Sequence, residues 1–282
     1  ASIRRTATGR SSTSALSFIA SVQSARAASS AQDPSAFDIR PEAVARTGWR
    51  IVRQLASVAA SATSTTPTTP TASTIDELLA RAWNVKQGGV ELLRATLILC
   101  ADHELNVSAF TARCVASAGS NPYAVVIAGL AALAGIKHGG MTVRVDAILG
   151  ALRRERRLRT ALAERLRRGE RIDGFGHPLY GDGDPRATAL LAMLRKHYPK
   201  SAELEFVNRF ADVGGSLARE RPNLDFALGA VSRVLKLPQG SGLTLFAIGR
   251  TIGWIGQAIE QYEMGQMIRP RAKYVGVVPM PS

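Results

Sequence analysis

The side chains of this sequence with the types to do chemistry are a handful of histidines, one acid in an apolar frame and three spaced arginines. His103 lies in Asp-His-Glu, His138 in Lys-His-Gly-Gly and His177 in Gly-Phe-Gly-His-Pro, with His197 further on. Asp225 stands in Pro-Asn-Leu-Asp-Phe, and the arginines are Arg186, Arg250 and Arg269. A carboxylate can take a proton from carbon, a neutral imidazole can donate to the oxyanion that forms, and a guanidinium grips carboxylates. Together these types suit carbon-acid chemistry on a polycarboxylate. Taken singly, each histidine also has a plainer reading as a structural side chain.

Other chemistries lack their residues. No two histidines have helical metal-ligand spacing, no cysteine lies beside them in sequence, and Asp182 with Asp184 makes too short an acidic turn for calcium, so no metal is expected. Gly240-Ser241-Gly242 does not supply a hydrolase elbow, and there is no Walker loop or strand-associated dinucleotide fingerprint. Cys100 and Cys114 form no CxxC pair and sit among apolar residues, which fits free thiols in a reducing, cytoplasmic setting.

The formal charge of +14 favours an acidic partner: nucleic acid, an anionic membrane or a multiply charged small molecule. No apolar run is long enough for a bilayer, because Arg250 and several glycines interrupt Leu243 to Ile259. The first 32 residues hold four arginines and no acid, as mitochondrial transit peptides do, yet Ser14 to Ala31 also reads as a helix with Leu16, Phe18, Ile19 and Val22 on one face.

Helical periods recur along the chain and strand alternation is nearly absent, which predicts an all-α fold. Pro41 to Ala60 carries Val44, Trp49, Ile51, Val52, Leu55, Val58 and Ala59 as an apolar face, and 61–74 is a low-complexity, flexible linker. Thr74 and Glu77 form a capping box ahead of Leu78, Leu79 and Trp83. Asn121-Pro122 starts a charge-free helix, Tyr123 to Ile136, that should lie in the core and deliver His138 at its end. Residues 153–171 hold nine arginines against three glutamates and read as a solvated face. A last long helix, Leu243 to Tyr262, sets Phe246, Ile248, Ile252, Trp254 and Ile255 around Arg250, whose charge needs an anionic partner.

Four segments in order, ADHELNVSAF (101–110), KHGG (137–140), GFGHPLYGDGDPRA (174–187) and PNLDF through FAIGRTIGWI to RPRAKYVG (222–276), resemble the citrate synthase family. The resemblance spans roughly residues 75–276 and, more weakly, DPSAFDIRPEAVARTG before it. It implies a large helical domain (1–139 and, after a return, 238–282 with a C-terminal arm) and a smaller mobile helical domain (140–237) that closes on substrates. It further implies that Asp225 takes a methyl proton from acetyl-CoA, that His138 stabilises the enol or enolate, and that His177 polarises the oxaloacetate carbonyl. His103, Arg186 and Arg250 would bind oxaloacetate, and Arg269 would reach the neighbouring site of a homodimer. No tightly bound cofactor is implied, since acetyl-CoA or another acyl-CoA is a co-substrate, and neither a nucleic acid nor a membrane is an expected partner.

The chain departs from the family in two places. Met141-Thr142-Val143 replaces the usual Ala-Asn-Glu after His-Gly-Gly, removing an amide and a carboxylate expected to support His138. Pro178 and Gly181-Asp182 stand where basic residues commonly hold CoA phosphates, with the 153–171 segment and Lys196 as compensating candidates. By the same comparison the chain is shorter at its amino-terminal end than a typical member, which implies either a minimal version or a remainder that lies on another chain or was lost. An alternative reading is a citrate synthase-like partner subunit or carboxylate/CoA sensor with little turnover. A basic nucleic-acid-binding protein is the remaining class, with no recognised motif to carry it.

Overall fold

Helical periodicity without strand alternation is realised as helices throughout a computed structural model, which describes residues 15–62, 74–271, 273 and 275–276. In chain order these are α1 (Ala15–Gln32), α2 (Pro41–Ser61), α3 (Ile75–Ala82), α4 (Gln87–Ala101), α5 (Val107–Ser117) and α6 (Pro122–Leu133), followed by α7 (Gly140–Ala151), α8 (Leu158–Arg167), α9 (Pro185–His197), α10 (Ala202–Ala218), α11 (Leu224–Val234) and α12 (Ser241–Met264). Among the described residues there is no strand, only two isolated bridges, so the fold is all-α. No described helix is long and apolar enough to cross a membrane.

The axis of the molecule is α12, packed against α2, α4, α5 and α6. Gly249 and Gly253 make the approach of α4 possible, since a Cβ at either would strike the backbone of Leu97 or Ala101. That closeness brings Arg250 to the end of α4. On the other side α11 packs against α7, α9 and α10, with α8 behind α10. The helix α6 begins as its sequence predicts, with Asn121 Oδ1 accepting from Ala124 N at 3.1 Å and Pro122 in the first turn. On α1, Phe18, Ile19 and Val22 are buried as expected, while the side chain of Leu16 lies outside the described residues.

Several sequence expectations need correction. Trp49 is 51% exposed, because the buried stripe of α2 runs through Val44, Ile51, Val52, Leu55 and Ala59 and leaves Trp49 turned away. Thr74 starts α3 without a side-chain cap, so the capping box is absent; the main-chain oxygen of Thr74 accepts from Leu78 instead. The core helix ends at Leu133, not Ile136: the N–H of Gly139 bonds to Leu133 O and that of Gly140 to Gly135 O, a turn that leaves Ile136 75% exposed. Ile252 on α12 is likewise exposed. In the linker, residues 63–73 lie outside the described residues. The basic segment faces water as expected: Leu158 and Leu162 are buried, Arg153 pairs with Glu203, and Arg165 and Arg168 share Glu170. Cys100 and Cys114 are free.

Candidate active site

The loop 174–187 is built against the start of α11 mainly by backbone. Gly176 N–H donates to Arg221 O (2.8 Å), Asn223 N–H to Gly174 O (2.9 Å) and the Asn223 amide to Gly176 O (2.9 Å). Asn223 is also the N-cap of α11, accepting from Phe226 N. Gly174 has φ +94°, and a Cβ there would lie 3.0–3.1 Å from Val145 and Phe226, so only glycine fits. At the far end of the loop Asp184 caps α9 through Arg186 N (3.0 Å) and accepts from Leu224 N (3.0 Å), the first residue of α11. Arg186 returns both Nε (2.9 Å) and Nη2 (2.8 Å) to the same carboxylate. Asp225, the next residue of α11, is thereby framed from both ends of the loop.

Three rings gather over this frame. His103 and His177 stand edge to face with centroids 5.1 Å apart, and His103 Nε2 is 2.8 Å from the Tyr180 hydroxyl. Tyr180 also lies against His177 (4.9 Å between centroids) and under the Arg186 guanidinium. His177 Nδ1 accepts from Leu179 N (3.2 Å), so in the neutral ring the proton is on Nε2, a donor.

His138, in the turn before α7, is held differently. Its Nε2 is 2.9 Å from Ser108 Oγ, which also accepts from Trp254 Nε1 (3.3 Å) and lies 2.9 Å from Asn106 Oδ1. The support that the Met141-Thr142-Val143 departure takes away is therefore supplied from α5. Thr142 instead donates its hydroxyl to Asp225 Oδ1. The ring edge of His138 meets Phe246, and the Arg250 guanidinium lies over the same Phe246 at 4.9 Å.

Arg250 is 1% exposed. Its Nε donates to Cys100 O at 2.7 Å, while Nη1 and Nη2 are buried without a partner, so no acid of the described residues is the anionic partner its sequence context called for. Burial lowers its pKa, and the nearby Arg186 adds to that.

The electrostatics follow from burial and from these two arginines. His103 is pushed down to about 4 by burial, then by Arg186, His177 and Arg250. His138 is pushed to about 4 by burial and Arg250, and His177 is lowered by burial and Arg186. All three are neutral imidazoles near pH 7. Asp225 is half-buried by surface, and loss of water around its carboxyl raises it to about 6, the Thr142 hydroxyl and Arg186 pulling the other way. Burial by itself would raise Asp184, but the bonds and charge of Arg186 outweigh it and hold that carboxyl low.

Of the seven residues singled out from sequence, contacts or mutual charge effects join six: His103, His138, His177, Arg186, Asp225 and Arg250. Arg269 lies apart, exposed beyond α12 in a tail pinned by Ile268 N to Ser117 Oγ. Sequence reasoning did not assign Ser108, Tyr180, Thr142, Asp184 or Asn223. Asp184-Pro-Arg, an acid before a helix-starting proline, was the available signal for one of them.

A family model for the citrate synthase C-terminal domain matches residues 4–271. Citrate synthase 2 of Bacillus subtilis is 35% identical over 190 residues, covering 66% of this chain and 51% of the relative. The 2-methylcitrate synthase 1 of Corynebacterium glutamicum is 31% identical, covering 64% and 49%. The chain thus spans about half the length of the curated relatives it matches. Among solved structures, the Thermoplasma acidophilum citrate synthase in ternary complex with carboxymethyl coenzyme A and oxaloacetate superposes with TM-score 0.79 at 25% identity, covering 94% of this chain and 74% of that one. These matches and the four motifs in order agree: the chain belongs to the citrate synthase family.

Proposed function

We propose that the chain is a citrate synthase-type acyltransferase that condenses acetyl-CoA, or a related acyl-CoA, with oxaloacetate to give citrate and free CoA. Asp225 removes a proton from the carbon next to the thioester carbonyl, and its raised pKa suits a base working near neutrality. Ser108 has one hydroxyl proton and two acceptors, Asn106 Oδ1 and His138 Nε2. When it goes to His138, the imidazole proton sits on Nδ1 and can be donated to the enolate oxygen. The enolate carbon then bonds to the ketone carbon of oxaloacetate, and His177 Nε2 delivers its proton to the oxygen that becomes the hydroxyl. Water cleaves the resulting thioester to citrate and CoA.

The observation that carries this reading is Arg250, a buried guanidinium with two unpartnered nitrogens beside neutral histidines. A substrate carboxylate satisfies it at the least cost. His103 and the remaining donors of Arg186 complete the oxaloacetate site. We take CoA as co-substrate, with no tightly bound cofactor, and closure of the 140–237 segment as the step that excludes water. We place the protein in the cytoplasm as a homodimer in which Arg269 reaches the neighbouring site. The exposed apolar side chains Ile98, Leu105, Val107 and Phe110 on α4, α5 and the turn between them support such a pairing.

Release of free thiol from acetyl-CoA on adding oxaloacetate is the test. Asp225→Ala and His177→Ala should each lower the rate about 10²–10⁴-fold. No release with acetyl-CoA or longer acyl-CoAs overturns the enzyme reading. Oxaloacetate binding that persists without turnover would instead favour a partner subunit or sensor, the reading to which Pro178 and Gly181 point by replacing basic CoA contacts.

A further inference from the structure

We infer that Arg144 is a positioning residue that ties the turn carrying His138 to the loop carrying His177. Its Nε donates to Asp173 Oδ2 at 2.8 Å and its Nη2 to Asp173 Oδ1 at 3.3 Å, while Nη1 donates to the main-chain oxygen of Ile136 at 2.8 Å. Nη2 also meets the Met141 sulfur. Ile136 is two residues before His138, and Asp173 immediately precedes the Gly174-Phe-Gly-His177 stretch. One planar guanidinium therefore fixes two backbone segments relative to each other, and its rigid fork leaves little freedom to either.

The need for such a tie follows from how the turn is made. The side chain of Ile136 is exposed and packs nothing into the core, so beside the local main-chain bonds and the contact of His138 with Ser108 the turn is held by this guanidinium. The carbonyl that Arg144 satisfies lies just beyond the end of α6, where carbonyls lose their helical partners. Arg144 is also half-exposed, so the ion pair adds little to stability. Its contribution is geometric: removing it should leave the fold and misplace the two rings. Its charge is a smaller influence on Asp225, opposing the dominant effect of burial.

The catalytic meaning rests on the proposed condensation, and the test separates the two. Arg144→Met and Asp173→Asn should each lower kcat about tenfold or more, with the melting temperature nearly unchanged. The double variant should be no worse than the worse single one, because both remove the same tie. Arg144→Lys keeps the charge without the fork: the acid limb of the rate profile should stay in place while kcat still falls, whereas Arg144→Met should move that limb to higher pH.

A second readout needs no turnover. With only four histidines, the 15N-imidazole spectrum is readable. Arg144→Met should shift the signals of both His138 and His177 and leave that of His197, which pairs with Glu91 at the far end of α9, unmoved. Movement of the His138 signal alone, or of neither, overturns the inference whether or not the wild type is active. An active wild type with unchanged kcat in both single variants overturns it while leaving the proposed function standing.

Discussion

The two histidine-bearing segments are held in opposite ways. Around His177 the frame is mostly main chain: a short run of backbone bonds between 174–176 and 221–223, a glycine in a conformation other residues avoid, and two N-caps. Around His138 the decisive contacts are side chains, Ser108 from the distant α5 and Arg144 from the adjoining α7. Backbone fixation sets where a loop is, and side-chain fixation sets which way a ring faces and which nitrogen carries its proton. The first kind should fail as a loss of structure and rate together, the second as a loss of rate with the fold intact.

Gly174→Ala is the strongest way to break the first region. The new Cβ meets Val145 and Phe226 in a backbone conformation unfavourable to alanine, and Phe226 adjoins Asp225. A destabilisation of about 1–3 kcal/mol is expected from the strain, with a fall in kcat/KM on the order of a hundredfold as the base is displaced. Denaturant unfolding and the thiol-release rate check both; a variant as stable and as fast as the wild type would show that the loop is not fixed this way. Ser108→Ala probes the second region and should cost less. It leaves His138 without its partner and Trp254 Nε1 without an acceptor, so about 1 kcal/mol of stability goes. A tenfold to hundredfold fall in kcat is expected, with KM for oxaloacetate unchanged, because the substrate carboxylates are gripped by arginines. A rise in that KM with kcat intact would reverse the assignment.

The same contrast explains what the sequence made legible. Glycines, prolines and helix-cap residues write backbone geometry directly into local sequence, so the 174–187 loop, the start of α6 and the helical class could be read in advance. Ser108 lies thirty positions from His138 in an ordinary-looking helix start, and Arg144 looks like one more surface charge. Nothing local marks Ser108 as the partner of His138, or Arg144 as the partner of Ile136 O and Asp173. Arg250 is intermediate: a charge in an apolar helix announced a buried site, but that its nitrogens would be left open emerged only from packing. Trp49 and the expected Thr74 cap failed for the converse reason, since a face or a motif read locally is overruled by which neighbours arrive.

The smallest effect is expected where the two regions meet, at Asp225, whose backbone is framed by the loop and whose carboxyl is held from the His138 side by Thr142. Folding raises this carboxyl from an unfolded value of about 4 to about 6. The folded state then binds the proton more tightly than the unfolded chain, so stability falls as pH climbs through that window, and the penalty is complete above it. The Thr142 hydroxyl reduces the penalty by favouring the ionised form. Thr142→Val keeps the shape, removes that bond and should raise the carboxyl further. Relative to wild type the variant should be less stable at pH 8 and nearly equal at pH 4, and its rate should fall more at pH 6 than at pH 8. Unfolding midpoints at the two pH values decide it: an equal loss at both would mean that Thr142 acts through packing, and that the carboxyl is tuned by the loop side alone.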